Sequence, residues 1–249
     1  MSDELLRRAT DLDRQCTKHA SITATGFLSP AEQYALRAWA PQAENQLLFH
    51  GGYPGAERQA GFFLPDWLEP DAFDPGEHLR AIECTARFGA PGHRDWLGAL
   101  LGLGVSRDRL GDILVEGERA WVLCLPTVEP FLLLNLEKVG RWGVKARAVP
   151  LSEVPEPKRE TRTERFTVSS PRLDAVCAGV FRLSRAKAAE AIAAGLVSRN
   201  YAPCLKSDCP ITPGDVLSLR GRGKANIADI DTRQTRKGRV FVTAEVYVS

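Results

Sequence analysis

The sequence predicts a mixed α+β protein made of three small domains. Three observations support this. The 249-residue chain is 44% apolar and 26% charged, which is an ordinary globular composition. Strand and helix patterns alternate along its middle third. The charge changes sign along the chain: residues 1–157 carry 16 Lys and Arg against 22 Asp and Glu, whereas residues 158–249 carry 17 against 9. The predicted division is a first domain at 1–76, a second at 77–150, a linker at 151–168 and a third domain at 169–249.

The first domain is predicted as a small α/β unit. Residues 5–48 are predicted mainly as helix, and Ser29-Pro30 is a typical N-cap and first-turn pair. Two short apolar runs, at 47–49 and 61–64, predict strands. Pro and acidic residues are concentrated at 65–77, so the boundary of the domain is expected there.

Residues 77–150 carry a β-α-β-β-α-β pattern. The predicted elements are, in order, a strand at 82–88, a helix at 96–103, a hairpin of strands at 112–115 and 120–124, a Leu-rich helix at 128–139 that ends at Gly140, and a strand at 142–148. This order is the ferredoxin-like (RRM-like) pattern, in which both helices lie on one face of the sheet and the other face is free.

The free face of this sheet is a candidate RNA surface. The basic residues Arg87, Lys145 and Arg147 are candidates for phosphate contacts on it, although a solvated polar face explains them equally well. The basic-Gly-aromatic stacking motif of many RNA-binding sheets is absent from the sequence. His93 and Arg94, at the start of the central helix, are further candidate RNA contacts.

The third domain is basic, and a charged, Pro-bearing linker at 151–168 precedes it. Ser170-Pro171 predicts the start of one short amphipathic helix, and Ser184 predicts the cap of a second that ends at Gly195. Apolar residues then predict strands at 216–219 and 240–248.

The start of the second helix carries the strongest signal for an anionic partner. A helix N-terminus has unpaired N–H groups and partial positive charge, so Arg185 and Lys187 are unfavourable there unless an anion such as phosphate compensates them. We expect further basic residues to join the same surface. The RNA contacts predicted from charge are Arg172, Arg185, Lys187, Arg220, Arg222 and Lys224.

Four motifs of this region resemble the S4 RNA-binding domain, which occurs in a small-subunit ribosomal protein, in pseudouridine synthases and in tyrosyl-tRNA synthetases. The motifs are RLD at 172–174, LSRAKA at 183–188, IAAGLV at 192–197 and PGDV at 213–216. The resemblance implies an αL-type fold that binds structured RNA along the helix pair and the following loop. It implies RNA contacts at Arg172, Ser184, Arg185 and Lys187 and adds Asn200 to the predicted contacts. The family commonly has Val-Asn-Gly at the next hairpin, whereas Tyr201 follows Asn200 here, so the turn type is left open.

Three upstream motifs resemble the YlmH family of bacterial proteins. They are HGGYPGAER at 50–58, HRDWLGALLGLG at 93–104 and GDIL at 111–114. The resemblance covers nearly the whole chain. It implies two small N-terminal domains, a C-terminal S4 domain and binding of rRNA or tRNA on large ribosomal subunits that still carry peptidyl-tRNA, in rescue or quality control of stalled translation.

Several fragments imitate catalytic or ligand-binding motifs without their partners. His93-Arg94-Asp95 lacks the rest of a kinase site, and Ser184 with Lys187 lacks the accompanying motifs of penicillin-binding enzymes. The glycines at 98–104 lie within a helix pattern, so they do not form a dinucleotide loop. The glycine-rich loop at 51–58 fits either close approach to a phosphate or a tight turn.

Metal and redox chemistry are not predicted. The six cysteines form no paired zinc-ligand spacing and the four histidines none either, so we expect no metal and no cofactor. No apolar stretch is long enough for a membrane helix, and the acidic N-terminus does not resemble a signal peptide. The sequence therefore predicts a cytoplasmic protein without a membrane partner or a small-molecule substrate.

The function favoured by these observations is that of a non-catalytic, ribosome-associated RNA-binding protein. Two alternatives remain open. One is a targeting subunit or a divergent RNA-modifying enzyme, since S4 domains often accompany pseudouridine synthases; residues 1–157 lack the large catalytic domain that such an enzyme needs. The other is a protein-interaction scaffold whose acidic part binds protein while the basic domain holds RNA.

Overall fold

The computed structural model describes residues 2–157, 161–231 and 238–247, and the chain forms two compact units, Met1–Pro157 and Lys158–Ser249. The first unit is net acidic and the second net basic, so the charge changes sign where one unit ends and the next begins. Both units contain helices and antiparallel sheets, which confirms the predicted α+β class.

The first unit contains two antiparallel sheets. Its helices and strands are α1 (Ser2–His19), β1 (Thr23–Leu28), α2 (Pro30–Trp39), β2 (Gln46–His50), β3 (Gln59–Leu64), α3 (Pro75–His78), β4 (Arg80–Ala86), α4 (His93–Gly102), β5 (Leu110–Glu116), β6 (Arg119–Cys124), α5 (Glu129–Asn135), β7 (Lys138–Val139) and β8 (Trp142–Val149). One sheet has the order β1-β3-β2 and the other β5-β6-β4-β8-β7. The predicted β-α-β-β-α-β order is present from β4 to β8, with the two-residue β7 added.

Strand β1 lies within the stretch that was predicted mainly as helix, so that prediction was wrong for residues 23–28. Its two faces enter different clusters: Leu28 packs with the α1 and α2 side chains, and Phe27 with the second sheet. A strand that is buried on both faces shows no alternation, so periodicity did not reveal it. The helix start at Ser29 is confirmed, because Ser29 and Glu32 form a reciprocal capping box.

The five-stranded sheet has no fully free face, which corrects the expectation from the ferredoxin-like pattern. On one face, Val122 packs among the side chains of α4 and α5. On the other, the neighbouring residues Trp121 and Leu123 pack against Phe62 and other side chains of the first sheet. The unbroken apolar run at 120–124 is the sequence signal for such two-sided burial. The core therefore continues across the domain boundary predicted near residue 76, and that boundary stays a prediction.

Two elements of this unit end earlier than predicted. Helix α5 stops at Asn135, and Lys138–Val139 pairs with β8 as a strand, so the helix prediction for 128–139 was wrong in its last third. Gly140 has φ +57° and supplies the reversal between β7 and β8 rather than a helix cap. Strand β4 stops at Ala86, so Phe88 is not part of its alternating pattern.

The second unit folds around a six-stranded antiparallel sheet. Its elements are β9 (Thr161–Val168), α6 (Leu173–Val180), α7 (Arg185–Ala193), β10 (Val197–Arg199), β11 (Ala202–Pro203), β12 (Val216–Leu219), β13 (Gly223–Asp231) and β14 (Val240–Tyr247). The sheet order is β11-β10-β12-β13-β14-β9. Helices α6 and α7 cover one face, and Cys177 and Ile192 pack there with Leu217 and Ile227.

Part of the predicted linker is a strand. Strand β9 pairs with β14 along its whole length, from Thr161 opposite Tyr247 to Val168 opposite Val240. It was missed because it is an edge strand with mostly polar side chains, which gives a weak apolar pattern. Residues 158–160 of the predicted linker, and Val248 of the predicted last strand, lie outside the described residues.

The hairpin turn that the sequence left open is a two-residue turn with both residues in the left-handed region. Asn200 has φ +49° and Tyr201 has φ +67°, and Arg199 pairs with Ala202 on either side. This is the conformation that Asn-Gly usually adopts in hairpins. Tyr201 occupies the glycine position despite the steric cost to a bulky side chain.

Candidate nucleic-acid interface

A buried carboxylate organises the basic residues at the starts of α6 and α7. The side chain of Asp174 is only 9% exposed, and its Oδ2 accepts a hydrogen bond from Arg185 Nε at 2.9 Å. Arg172 lies on the other oxygen, with Nε 3.8 Å from Oδ1. Both arginine side chains are about half exposed. Asp174 therefore fixes two guanidinium groups at the protein surface.

Ser184 caps α7, as predicted. Its hydroxyl accepts a hydrogen bond from the backbone N–H of Lys187 at 3.2 Å, and the Lys187 side chain is exposed. The hydroxyl thus serves the helix itself, while Arg185 and Lys187 add positive charge to an end that is already positive. We name Arg172, Ser184, Arg185 and Lys187 the helix-start cluster.

The loop at 204–210 lies against this cluster. The N–H of Leu173 donates to the carbonyl of Cys209 at 2.9 Å, and that of Asp174 donates to Ser207 at 3.0 Å, so the loop satisfies the first turn of α6. Lys206, on the same loop, is exposed and adds a cation near the start of α6. Lys206 carries no motif signal in the sequence, because only the folded loop brings it here.

Asn200 belongs to a second network, centred on Asp215. The Asn200 amide donates to Asp215 Oδ1 at 2.7 Å and accepts from the N–H of Val216 at 2.8 Å. Arg199 Nη2 lies 2.8 Å from Asp215 Oδ2, to which the N–H of Thr212 also donates at 2.8 Å. The Asn200 side chain therefore supports the turn, and its contact with RNA stays a prediction.

Opposing effects act on the pKa of the Asp215 carboxyl. Burial raises this pKa, but the hydrogen bonds from Arg199, Thr212 and Asn200 together outweigh burial and hold it below its ordinary value. The hydrogen bond to Asp215 in turn raises the pKa of Arg199. The pair is thus charged at neutral pH and locks the hairpin to the turn that precedes β12.

The last three predicted contacts lie on the turn from β12 to β13 and at the start of β13. Arg220 and Arg222 are exposed on this turn. Lys224 is half-buried, with Nζ 4.8 Å from the ring centre of Tyr201 and 5.5 Å from that of Tyr247. The neighbour Ala225 points into the core under the helices, so Lys224 lies on the opposite face of the sheet. The expected single surface is therefore corrected: Lys224 is not on the face that carries the helix-start cluster.

The candidate RNA contacts of the first unit differ in whether their side chains already form ion pairs within the protein. Arg147 is ion-paired with Glu83, which is buried, and with Glu153 at 3.2 Å. Lys145 is exposed opposite Thr85 on β4, and Arg87 is exposed just beyond that strand. Arg147 is thus the least available of the three to a phosphate.

The start of α4 presents two exposed basic side chains, His93 and Arg94. The carboxylate of Asp95 caps this helix by accepting from the N–H of Gly92 at 2.9 Å. Asp95 of the His93-Arg94-Asp95 fragment therefore caps a helix.

The glycine-rich loop at 51–58 encloses a carboxylate of the protein. Asp112 accepts hydrogen bonds from the Tyr53 hydroxyl at 2.6 Å, from the N–H of Glu57 at 2.6 Å and from the N–H of Arg58 at 3.0 Å. These N–H groups are therefore used internally, which favours the tight-turn interpretation over the phosphate loop. Two of the motifs that resemble the YlmH family thus contact each other.

Three buried cysteines of the described structure carry protonated thiols. Burial raises the pKa of Cys84, Cys124 and Cys177 to about 12, so these thiols stay protonated at neutral pH. In residues 2–157, 161–231 and 238–247, no group of three or more His, Cys, Asp or Glu side chains is placed to hold a metal ion. Of the helices in these ranges, none is both long and apolar enough to cross a membrane.

Comparison with known proteins identifies the family. Residues 2–61 match a family model described as "YlmH, N-terminal", and residues 70–153 match one described as "Putative RNA-binding domain in YlmH". The chain is 33% identical over 238 residues to the ribosome-associated protein quality control protein P2 of Bacillus subtilis (strain 168), which covers 96% of this chain and 92% of that protein. This chain belongs to the YlmH family.

A solved structure supports the fold of this YlmH family member. The cell division protein ylmH from Streptococcus pneumoniae aligns with a TM-score of 0.54 at 21% identity, over 62% of this chain and 94% of that one. The family predicted from the motifs at 50–58, 93–104 and 111–114 is thus confirmed. The segment at 70–153, which matches the family model of a putative RNA-binding domain, contains five of the candidate contacts: Arg87, His93, Arg94, Lys145 and Arg147.

Proposed function

We propose that this YlmH family member is a non-catalytic protein that binds structured rRNA or tRNA through residues 169–249. We further propose that it acts in the cytoplasm on large ribosomal subunits that carry peptidyl-tRNA, in rescue or quality control of stalled translation. The support is the relative in B. subtilis, whose name describes a ribosome-associated quality control protein, together with the family model for an RNA-binding domain at 70–153.

The observation that carries the RNA-binding assignment is the helix-start cluster. Arg185 and Lys187 lie in the first turn of α7, where positive charge opposes the helix dipole. Arg172 and Arg185 are held at the surface by the buried Asp174 rather than by exposed acids. The exposed Lys187 has no such acid partner among the described residues, so its charge opposes the helix dipole in the free protein and is compensated when a phosphate binds.

The folds we propose follow from the order of elements. Two short helices, a close hairpin and an antiparallel sheet in residues 169–249 fit the S4-like (αL) domain suggested by the motifs at 183–188 and 213–216. The order β5-β6-β4-β8 fits a ferredoxin-like (RRM-like) domain in the first unit.

The direct test replaces Arg185 and Lys187 together by Ala in the full chain. We expect affinity for purified bacterial large ribosomal subunits or for tRNA to fall at least about tenfold at moderate salt. The slope of log affinity against log salt should flatten by about two units at most, because two phosphate contacts are lost. The matched control is Arg7→Ala with Arg14→Ala, which removes the same charge from an exposed face of α1.

Equal losses in the two double variants would show that net charge, not the helix-start cluster, drives binding. Unchanged affinity in the Arg185 and Lys187 variant would remove the cluster as the RNA site. Sedimentation of the tagged protein with ribosomal fractions, followed by sequencing of crosslinked RNA, tests the cellular assignment. Migration in the free pool without rRNA or tRNA crosslinks would instead favour the scaffold.

A further inference from the structure

Phe88 is the most exposed large apolar side chain among the described residues. Its side chain is 96% exposed, and its backbone has φ +59°, in the left-handed region that bulky residues rarely adopt. A phenyl ring in water gains nothing from packing, and the backbone conformation adds strain. Folding alone therefore does not explain an aromatic side chain at this position.

The segment that carries Phe88 is fixed in place. The N–H of Arg87 donates to the carbonyl of Gly143 at 2.8 Å. The ring of Trp142 lies directly against Gly89 and leaves no room for a Cβ there. The ring of Phe88 is thus displayed from a loop that is anchored on both sides.

The surroundings of this ring are rich in cations. Arg87 precedes it and is exposed, and the guanidinium of Arg141 lies 5.0 Å from the ring centre of the same Trp142 that supports Gly89. His93 and Arg94 are exposed at the end of the same loop. Acidic groups on neighbouring elements include Asp95, which accepts from the N–H of Gly92, and Glu137, whose carbonyl accepts from the N–H of Val144. Glu116 and Glu118 lie on the β5–β6 hairpin, on the other side of β4.

We propose that Phe88 stacks on an unpaired base of the bound RNA while Arg87 and Arg141 contact the adjacent phosphates. An exposed aromatic ring among arginines fits a nucleotide, which presents a flat base and an anionic backbone, better than it fits an apolar peptide. This inference rests on the proposed RNA-binding function and adds a contact in the first unit. Phe88 lies within residues 70–153, the segment that matches the family model of a putative RNA-binding domain.

The first experiment compares two substitutions in the full chain, with purified bacterial large ribosomal subunits as the probe. Phe88→Asn removes the ring, and Asn tolerates a left-handed backbone; Phe88→Tyr keeps the ring and is the matched control. We expect Phe88→Asn to bind about fivefold or more weakly and Phe88→Tyr to bind like the wild type. The midpoint of thermal unfolding of Phe88→Asn should equal or exceed that of the wild type, so misfolding cannot explain the loss.

Salt dependence separates stacking from charge. Phe88→Asn should leave the slope of log affinity against log salt unchanged, whereas Arg87→Ala should reduce it by about one unit. Ultraviolet crosslinking of the complex, followed by trypsin, should place a nucleotide on the peptide 88–94, because trypsin cleaves after Arg87 and Arg94.

The outcomes distinguish this inference from the proposed function. If the wild type binds the subunits but Phe88→Asn binds equally well and the peptide 88–94 carries no nucleotide, the stacking contact is wrong and the RNA-binding function stands. If Phe88→Asn weakens binding and 88–94 crosslinks to a ribosomal protein instead, the ring contacts protein and the inference fails. If the wild type binds neither subunits nor tRNA, the proposed function and this inference fail together.

Discussion

Arg185 Nε donates a hydrogen bond to Asp174 Oδ2 at 2.9 Å, and this contact joins α7 to α6. Asp174 is almost completely buried, whereas half of the Arg185 side chain is exposed. Within the described residues the contact uses Nε alone, so the two Nη groups of Arg185 stay available to a phosphate. One arginine thus stabilises a helix pair and presents charge to an RNA.

Loss of Arg185 should therefore reduce stability as well as affinity. We expect Arg185→Ala to lower the free energy of unfolding by about 1–3 kcal/mol, because the buried carboxylate of Asp174 then keeps the N–H of Ala175 and the longer contact with Arg172 but loses its close cation. Asp174→Asn in the same chain should restore part of that loss. Urea unfolding of the two single variants and the double variant measures the coupling, and a coupling of zero would contradict the pairing.

Lys187→Ala is the control for the double-mutant comparison of Arg185→Ala with Asp174→Asn. Its side chain is exposed in the first turn of α7, and no ion pair of Lys187 is present among the residues that the structure describes. Removing a cation from a helix N-terminus should leave stability unchanged or raise it by about 0.5 kcal/mol. RNA affinity should fall in Lys187→Ala, so affinity and stability separate at this position.

Two substitutions of Ser184 distinguish its role in capping α7 from a role in RNA binding. Ser184→Ala should lower stability by about 1 kcal/mol, because the N–H of Lys187 loses its acceptor. Ser184→Asp keeps a capping oxygen and places a negative charge where the helix dipole favours it, so stability should be retained. RNA affinity should fall further in Ser184→Asp than in Ser184→Ala, since the new charge repels phosphate. Equal affinities of the two variants would show that RNA does not approach this end of α7.

The network around Asp215 predicts an acid-sensitive hairpin. The pKa of Asp215 is below its ordinary value of 3.8, so the charged carboxylate contributes its full stability above that value and loses it as the pH falls through the lower, folded-state pKa. Asp215→Asn should cost about 2–4 kcal/mol at neutral pH, because Arg199 and the N–H of Thr212 lose a charged acceptor. Urea unfolding measured from neutral pH down to about pH 3 should show the difference between wild type and variant shrinking with acid. If the difference in unfolding free energy between wild type and Asp215→Asn stays constant with pH, the charge of Asp215 is not the source of this stability.

Local signals predicted both helices of the second unit, but the start predicted for the first at Ser170-Pro171 was wrong, because α6 begins after Arg172. Ser184 is a capping residue, and Leu173, Val176, Cys177 and Val180 fall at helical spacing, so α6 and α7 followed from the sequence. The Asp174–Arg185 contact did not follow, because it depends on how two helices pack. The side of the sheet on which Lys224 lies could have been predicted from the alternation of residues along the strand. Ala225 is buried under the helices, so its neighbour Lys224 points to the face away from them.

The first unit shows why other predictions failed. A free sheet face was expected from the β-α-β-β-α-β order, yet Trp121 and Leu123 are buried on that face by the first sheet. Topology alone does not say what covers a face, whereas the unbroken apolar run at 120–124 did carry that information. The predicted strand at 82–88 included Phe88, whereas β4 ends at Ala86 and the ring is exposed, because the apolar alternation continues past the last paired residue.

The enclosure of Asp112 by the loop at 51–58 gives a prediction for the stability of the first unit. Tyr53 is buried, and its hydroxyl donates to Asp112 at 2.6 Å, so Tyr53→Phe should lower the free energy of unfolding by about 1 kcal/mol. Asp112→Ala should cost about 2–4 kcal/mol, since the N–H groups of Glu57 and Arg58 lose their acceptor as well.

Both variants should keep the affinity for tRNA at temperatures where the chain stays folded, because the loop binds its own carboxylate rather than a phosphate. Thermal unfolding and tRNA binding of the two variants provide the measurement, with Glu57→Gln as the control, which changes charge in the same loop but keeps the backbone contact. A large loss of tRNA affinity in Tyr53→Phe, without a loss of stability, would show instead that the glycines at 51–58 serve a phosphate.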